Sequence, residues 1–211
     1  MKTETLYAGL AVSALLAMIG ASVLYINKPS DSDIFAQCRA GVVGGGAIGG
    51  PFNLIDENGK AVTDKDIITG PTLVYFGYTF CPDVCPLDGA RNAEAVDILE
   101  KQGKMVTPVF ISFDPERDTP EVLRDFTDML HPRMLGLTGT PDQIKAASAA
   151  YKTYFKRQED GDSEYYLIDH STFTYLMMPN HGFVDYFDRS SSATDLAARV
   201  GCFVDAAGTN G

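Results

Sequence analysis

The chain has 211 residues, 45% of them hydrophobic, enough for one packed domain once a short N-terminal stretch is set aside. Lys and Arg number 17 against 28 Asp and Glu, a formal net charge of -11 with no basic block, which argues against nucleic acid as a partner because that binding draws on clustered cations. Solubility accounts for the acidity better than steering toward a basic partner does.

Leu6 to Ile26 carries no charged residue and approaches the roughly 20 apolar residues that a bilayer-spanning helix needs. That is longer than the apolar core of a signal peptide, so residues 1–27 are expected to be an uncleaved anchor. Lys2 and the amino terminus, offset by Glu4, against Lys28, Asp31 and Asp33 lean only slightly toward an inside amino terminus. Residues 28–48, rich in Gly, Ser, Ala and Asp, read as a tether, residues 49–206 as one α/β domain and 207–211 as a tail.

The domain opens on a β-hairpin that turns between Asp56 and Gly59. Thr72 to Tyr78, β-branched and aromatic, reads as a buried central strand. A helix is expected over Leu87–Gln102, its start placed at Pro86 because proline disfavours a helical Cys85. Val106–Phe113 is a second strand, and Thr119 caps a helix that begins at Pro120 and runs through Leu130. Met134–Leu137 reads as a short strand, Pro141–Phe155 as a helix, Tyr165–Met177 and Phe183–Phe187 as strands, and Ala193–Val204 as the last helix. Strands alternating with helices give an α/β sandwich around a mixed sheet.

Cys81 and Cys85 stand in GYTFCPDVCPLD, just past the expected central strand, where α/β sheets commonly place their sites. The spacing is CxxxC, one residue longer than the thioredoxin-type redox pair. At a helix N-terminus both sulfurs favour the thiolate, the form that binds soft metals and attacks disulfides. The pair alone therefore supports either a redox site or a metal site. Of the histidines, His131 reads as a helix-end or surface residue and His181 as an exposed turn residue. His170 ends the apolar run YYLID at an element boundary within the core sheet, and taken alone it reads more readily as structural than as a ligand. Two cysteines and one histidine fall one ligand short of a closed zinc site but suit trigonal copper(I), with room for a fourth ligand on copper(II).

GYTFCPDVCP, FDPERDTPEVL and YYLIDHSTFTYLMMPNHGFVDYF resemble, in this order and at these separations, the Sco/SenC family of copper proteins. The resemblance implies a thioredoxin-like fold, an N-terminal membrane anchor, metal ligands at Cys81, Cys85 and His170, and a role in assembling the binuclear copper A site of cytochrome c oxidase subunit II. It further implies a domain facing the periplasm or the mitochondrial intermembrane space, the bacterial inner membrane being the expected place; the copper donor is left open, with another copper chaperone as one candidate. Asp114, Arg117 and Asp118 match the family's DPxRDTP segment and read structurally as a turn before a capped helix. Asp83 is a candidate outer partner of the metal, and Met178 and His181, which depart from the family pattern, are candidates for auxiliary copper capture. In an oxidising compartment the two remaining cysteines, Cys38 and Cys202, suggest a disulfide between tether and domain.

Two functions stay open at this point. One is a metallochaperone passing copper to the oxidase subunit; the other is a thiol–disulfide oxidoreductase whose catalytic Cys81 and Cys85 keep the copper A cysteines reduced. Disulfide exchange has no need of a metal-capable histidine where thioredoxin-like proteins ordinarily carry a proline, and Asp169-His170-Ser171-Thr172 stands at that place.

Overall fold

A computed structural model describes residues 13, 15–20, 22, 33–39, 41, 47–158 and 165–208, in two compact units, Met1–Ala36 and Gln37–Gly211. In the first unit Ser13, Leu15–Gly20 and Ser22 are helical. Among the described residues no helix is long and apolar enough to cross a membrane, and most of the anchor expected over residues 1–27 lies outside them.

The second unit is built on a seven-stranded mixed sheet in the order β2-β1-β5-β4-β3-β8-β9. Its strands are β1 (Asn53–Asp56), β2 (Ala61–Thr63), β3 (Thr72–Gly77), β4 (Thr107–Ser112), β5 (Leu135–Thr138), β8 (Thr174–Met178) and β9 (Gly182–Phe187). Strands β3, β4 and β5 run parallel, whereas β1 is antiparallel to β2 and β5, and β8 to β3 and β9. The hairpin expected at the start is present. Asp56 Oδ1 accepts the backbone N–H groups of Asn58 and Lys60, and Gly59 takes φ +76°, a conformation that suits glycine. Every residue of β3 is buried, and successive side chains reach opposite faces. Tyr75 meets Asp88 of helix α2 (Val84–Lys101) on one face, while Phe76 packs on Tyr151, just past α4 (Pro141–Ala150), on the other. Helices thus cover both faces of the sheet, the α/β sandwich that the strand and helix order implied. The remaining helices are α1 (Asp64–Ile67), α3 (Pro120–Leu130) and α5 (Ala193–Gly208), the last packed on α2.

Three expectations need correction. Helix α2 starts at Val84, so Cys85 lies inside its first turn. Pro86, third in the helix, forfeits no hydrogen bond there because first-turn N–H groups have no intrahelical acceptor. Helix α4 stops at Ala150 and not near Phe155. Lys152 turns left-handed with φ +54°, and the N–H groups of Lys152 and Thr153 return to the carbonyls of Ala149 and Ser148. The strand expected over Tyr165–Met177 is broken after His170. Residues Ile168–His170 form β7, which pairs with β6 (Phe155–Arg157) in a separate two-stranded sheet, so His170 does not belong to the core sheet. Cys38 and Cys202 form a disulfide joining the start of the second unit to α5.

Candidate metal centre

The parallel strands β3 and β4 both end at one pole of the sheet, and the cysteine loop leaves β3 there. Asp118, fully buried, fastens that loop: its carboxylate accepts the N–H and hydroxyl of Thr79, at 3.0 and 2.6 Å, and the hydroxyl of Ser112 at the end of β4. Burial raises the Asp118 pKa, and these hydrogen bonds oppose the rise. The segment expected to be a turn before a capped helix is that, with Thr119 accepting from the Val122 N–H, and it also braces the cysteine loop.

Asp83 occupies the N-cap of α2, but its exposed side chain makes no capping bond. The Cys81 sulfur takes that place, accepting the Cys85 N–H at 3.3 Å. Its thiol pKa is lowered to about 3, first by the hydrogen bond from Cys85 and then by the N–H groups of Asp83 and Cys85, against the opposing effect of burial. Cys85 is fully buried, and burial drives its pKa up. The two thiols are thus shifted in opposite directions, so the thiolate that the helix N-terminus implied at both sulfurs is favoured at Cys81 alone.

His170 arrives from β7. Its Nδ1 lies 2.8 Å from the Ser171 carbonyl, an acceptor, so Nδ1 carries the proton and Nε2 presents its lone pair, 3.3 Å from Cys85 Sγ. The rings of Tyr78 and Phe113 flank the imidazole with centroids 5.7 and 5.6 Å away, and the Tyr78 hydroxyl accepts the Ile168 N–H. The donor atoms of Cys81, Cys85 and His170 all lie within 4.8 Å of one another. The three residues singled out in the sequence therefore converge, as two sulfurs and one nitrogen suited to a soft or borderline metal ion in an incomplete shell. Asp83 is not in the group.

Met178 and His181 are excluded from this centre by register. Met177 pairs with Thr72 at the start of β3, so Met178 lies at the pole opposite the cysteine loop, about 20 Å away at roughly 3.3 Å per strand residue. His181 is exposed in the following turn, as expected. His131 sits at the C-cap of α3, as expected, but is buried rather than at the surface. It is grouped with Asp97 and Glu100. Its Nδ1 accepts the Arg133 N–H at 3.0 Å, which places the neutral ring's proton on Nε2, facing Asp97 at 3.4 Å. No lone pair is then left for a metal, and the cluster closes the end of α3.

A family model described as SCO1/SenC matches residues 42–205. The chain belongs to this family. Protein SenC of Rhodobacter capsulatus is 53% identical over 202 residues, spanning 95% of this chain and 91% of that protein. Among SCO1/SenC structures, copper-bound ScoI of Arabidopsis thaliana superimposes with a TM-score of 0.71 at 42% identity, covering 77% of this chain and 99% of its own. Copper-bound ScoI of Bradyrhizobium japonicum gives 0.65 at 42% identity, covering 73% and 98%. The architecture is the thioredoxin-like fold of these SCO1/SenC structures.

Sequence reasoning passed over Gly77, which seats one of the sulfurs in this SCO1/SenC chain. A Cβ there would lie 2.9 Å from Cys85 Sγ and 2.9 Å from Phe110 Cζ, closer than carbon atoms tolerate. Gly77→Ala must displace the sulfur or the buried ring, and we expect a loss of about 1–3 kcal/mol in urea unfolding. An unchanged midpoint would show that the sulfur has room to step aside. The visible signal was a glycine at the end of an otherwise bulky buried strand.

Proposed function

We propose that the protein binds one copper ion through Cys81, Cys85 and His170 and delivers it to the binuclear copper A site of cytochrome c oxidase subunit II. The observation that carries this reading is the meeting of two cysteine sulfurs and a tautomer-fixed imidazole within 4.8 Å. The copper in the two ScoI structures supports the choice of ion. Thiolate sulfur selects copper(I), imidazole suits copper(II) as well, and a shell of three protein donors leaves a position at which an acceptor's ligand can enter before these leave. Loading releases the Cys85 proton, whereas Cys81 is already ionised, so the chain enters the exchange with one of its two thiolates prepared.

The same asymmetry favours a second reading. Cys81 could attack a disulfide in the oxidase subunit, after which Cys85 would displace the partner's thiol. The partner gains two electrons, one proton from Cys85 and a second proton from solvent, and a Cys81–Cys85 disulfide forms. For either role we place the domain in the periplasm, held to the inner membrane by the apolar segment Leu6–Ile26 and loaded by another copper chaperone.

Loading the full chain with copper separates the two readings. Delivery predicts about one copper per chain and a sulfur-to-copper(II) charge-transfer band that is lost or altered in His170→Ala. If His170→Ala binds copper unchanged while Cys81→Ser abolishes only reductase activity, the oxidoreductase reading replaces it.

A further inference from the structure

The cysteines and His170 reach the centre on separate pieces of structure, the loop after β3 and the small β6–β7 sheet, so something must fix the gap between them. Arg117 stands at that junction. Its guanidinium carbon lies 3.6 Å from the ring centroid of Tyr166, 4.8 Å from that of Phe80 and 5.9 Å from that of Tyr78. Phe80 and Tyr78 belong to the cysteine loop, and Phe80 immediately precedes Cys81. Tyr166 stands four residues before His170, at the entry to β7.

The guanidinium is itself held. Arg117 Nε donates to Asp114 Oδ2, and the other oxygen of Asp114 accepts the Tyr166 hydroxyl at 2.6 Å. Arg157 of β6 lies 3.5 Å from the Tyr166 centroid. Two guanidinium groups at that distance from one ring must occupy opposite faces, so Tyr166 is sandwiched between them. A planar cation stacked between the aromatic groups of two segments fixes their separation in a way that a lysine ammonium cannot.

We propose that Arg117 is a positioning residue that sets the reach of His170 toward the two sulfurs through its stack on Tyr166 and Phe80. It stands outside the Cys81, Cys85 and His170 set and acts through the seating of β7. The proposal rests on the copper reading above and assigns a task to a residue that the copper ligand set leaves out.

The test compares copper affinity and the charge-transfer spectrum of the full chain with those of His170→Ala, Arg117→Ala, the double variant, Arg117→Lys and Tyr166→Phe. Arg117→Ala is expected to bind copper about 10- to 100-fold more weakly, the usual effect of removing a group that orients a metal ligand, and to shift the spectrum toward that of His170→Ala. On the His170→Ala background the same change should cost less than about 2-fold, because a residue acting through His170 has nothing left to position. Arg117→Lys should behave as Arg117→Ala, and Tyr166→Phe, which keeps the ring, should stay near the parent. Additive losses, or a parental spectrum in Arg117→Ala, would overturn the proposal, and recovery in Arg117→Lys would show that charge rather than stacking does the positioning. If His170→Ala leaves copper binding unchanged, the ligand assignment fails and this proposal fails with it. Should Arg117→Ala not fold, Arg117→Lys against Tyr166→Phe makes the same comparison.

Discussion

Alkylation of the reduced, metal-free protein by iodoacetamide will modify Cys81 at a rate that stays almost flat between pH 4 and pH 8 and will leave Cys85 intact. An ordinary thiol, with a pKa near 8.5, gains about four orders of magnitude in thiolate over that range, and its alkylation rate climbs with it. Cys81, lowered to about 3, is ionised across the whole interval and loses its thiolate only below that value. Cys85 is fully buried and raised, so neither its protonation nor its access favours reaction. The absolute rate at Cys81 will be modest, since nucleophilicity falls as pKa falls, and the flat slope is therefore the quantity to measure. Cys38 and Cys202, joined in a disulfide, stay silent if only Cys81 and Cys85 are reduced beforehand, and mass spectrometry of peptides assigns the modified sulfur. A rate rising about tenfold per pH unit would mean that the helix N-terminus and the Cys85 thiol do not hold the charge described here.

Much of the fold was legible because local chemistry announces it. Thr119 followed by Pro120 is a cap and a first-turn residue, and α3 begins where they say. Helix α4 ended too late in the sequence reading because its left-handed stop is Lys152, and a lysine carries none of the signal that a glycine would.

The centre was legible in its ligands and not in its support. Two cysteines at a strand end are visible in a window of ten residues. His170 had no such window, since nothing local tells a ligand from a structural histidine, and only the likeness of three separated segments gave it standing. Asp118 reaches back to Thr79 across 39 residues, and Tyr166 reaches Asp114 across 52. Contacts of that kind leave no periodicity in the chain. The DPxRDTP segment therefore reads as a turn in the sequence, while in the structure it braces the cysteine loop and meets the approach to His170.

Cys202→Ser will lower the stability of the domain by about 2–5 kcal/mol, a large share of the roughly 5–15 kcal/mol that holds a typical domain folded. The two cysteines are 164 residues apart, so the cross-link closes nearly the whole domain into one loop. The chain-entropy estimate for a loop of that length is about 5 kcal/mol, most of it arising from the restricted unfolded chain. Burial adds a local reason. Cys38 is buried, and α5 carries Leu196, Ala197, Val200 and Phe203 into the core, so fastening Cys202 also secures the helix that packs on α2. Loss of the bond should lower the thermal midpoint by about 10 °C for a domain of this size. The change should be nearly the same in Cys38→Ser and in the double variant, because either serine removes the one cross-link. The comparison must use these variants and not added reductant, which would also act on any Cys81–Cys85 disulfide. A loss below about 1 kcal/mol in both single variants, or two losses that add in the double variant, would show that the bond contributes little and that the serines act through packing. The centre lies at the opposite end of α2 from this bond, since Lys104, just past the helix, reaches Gly201 and Asp205 beside Cys202. Copper binding at Cys81, Cys85 and His170 should therefore persist in Cys202→Ser at temperatures where the domain remains folded, which separates the role of the cross-link from that of the two cysteines at the centre.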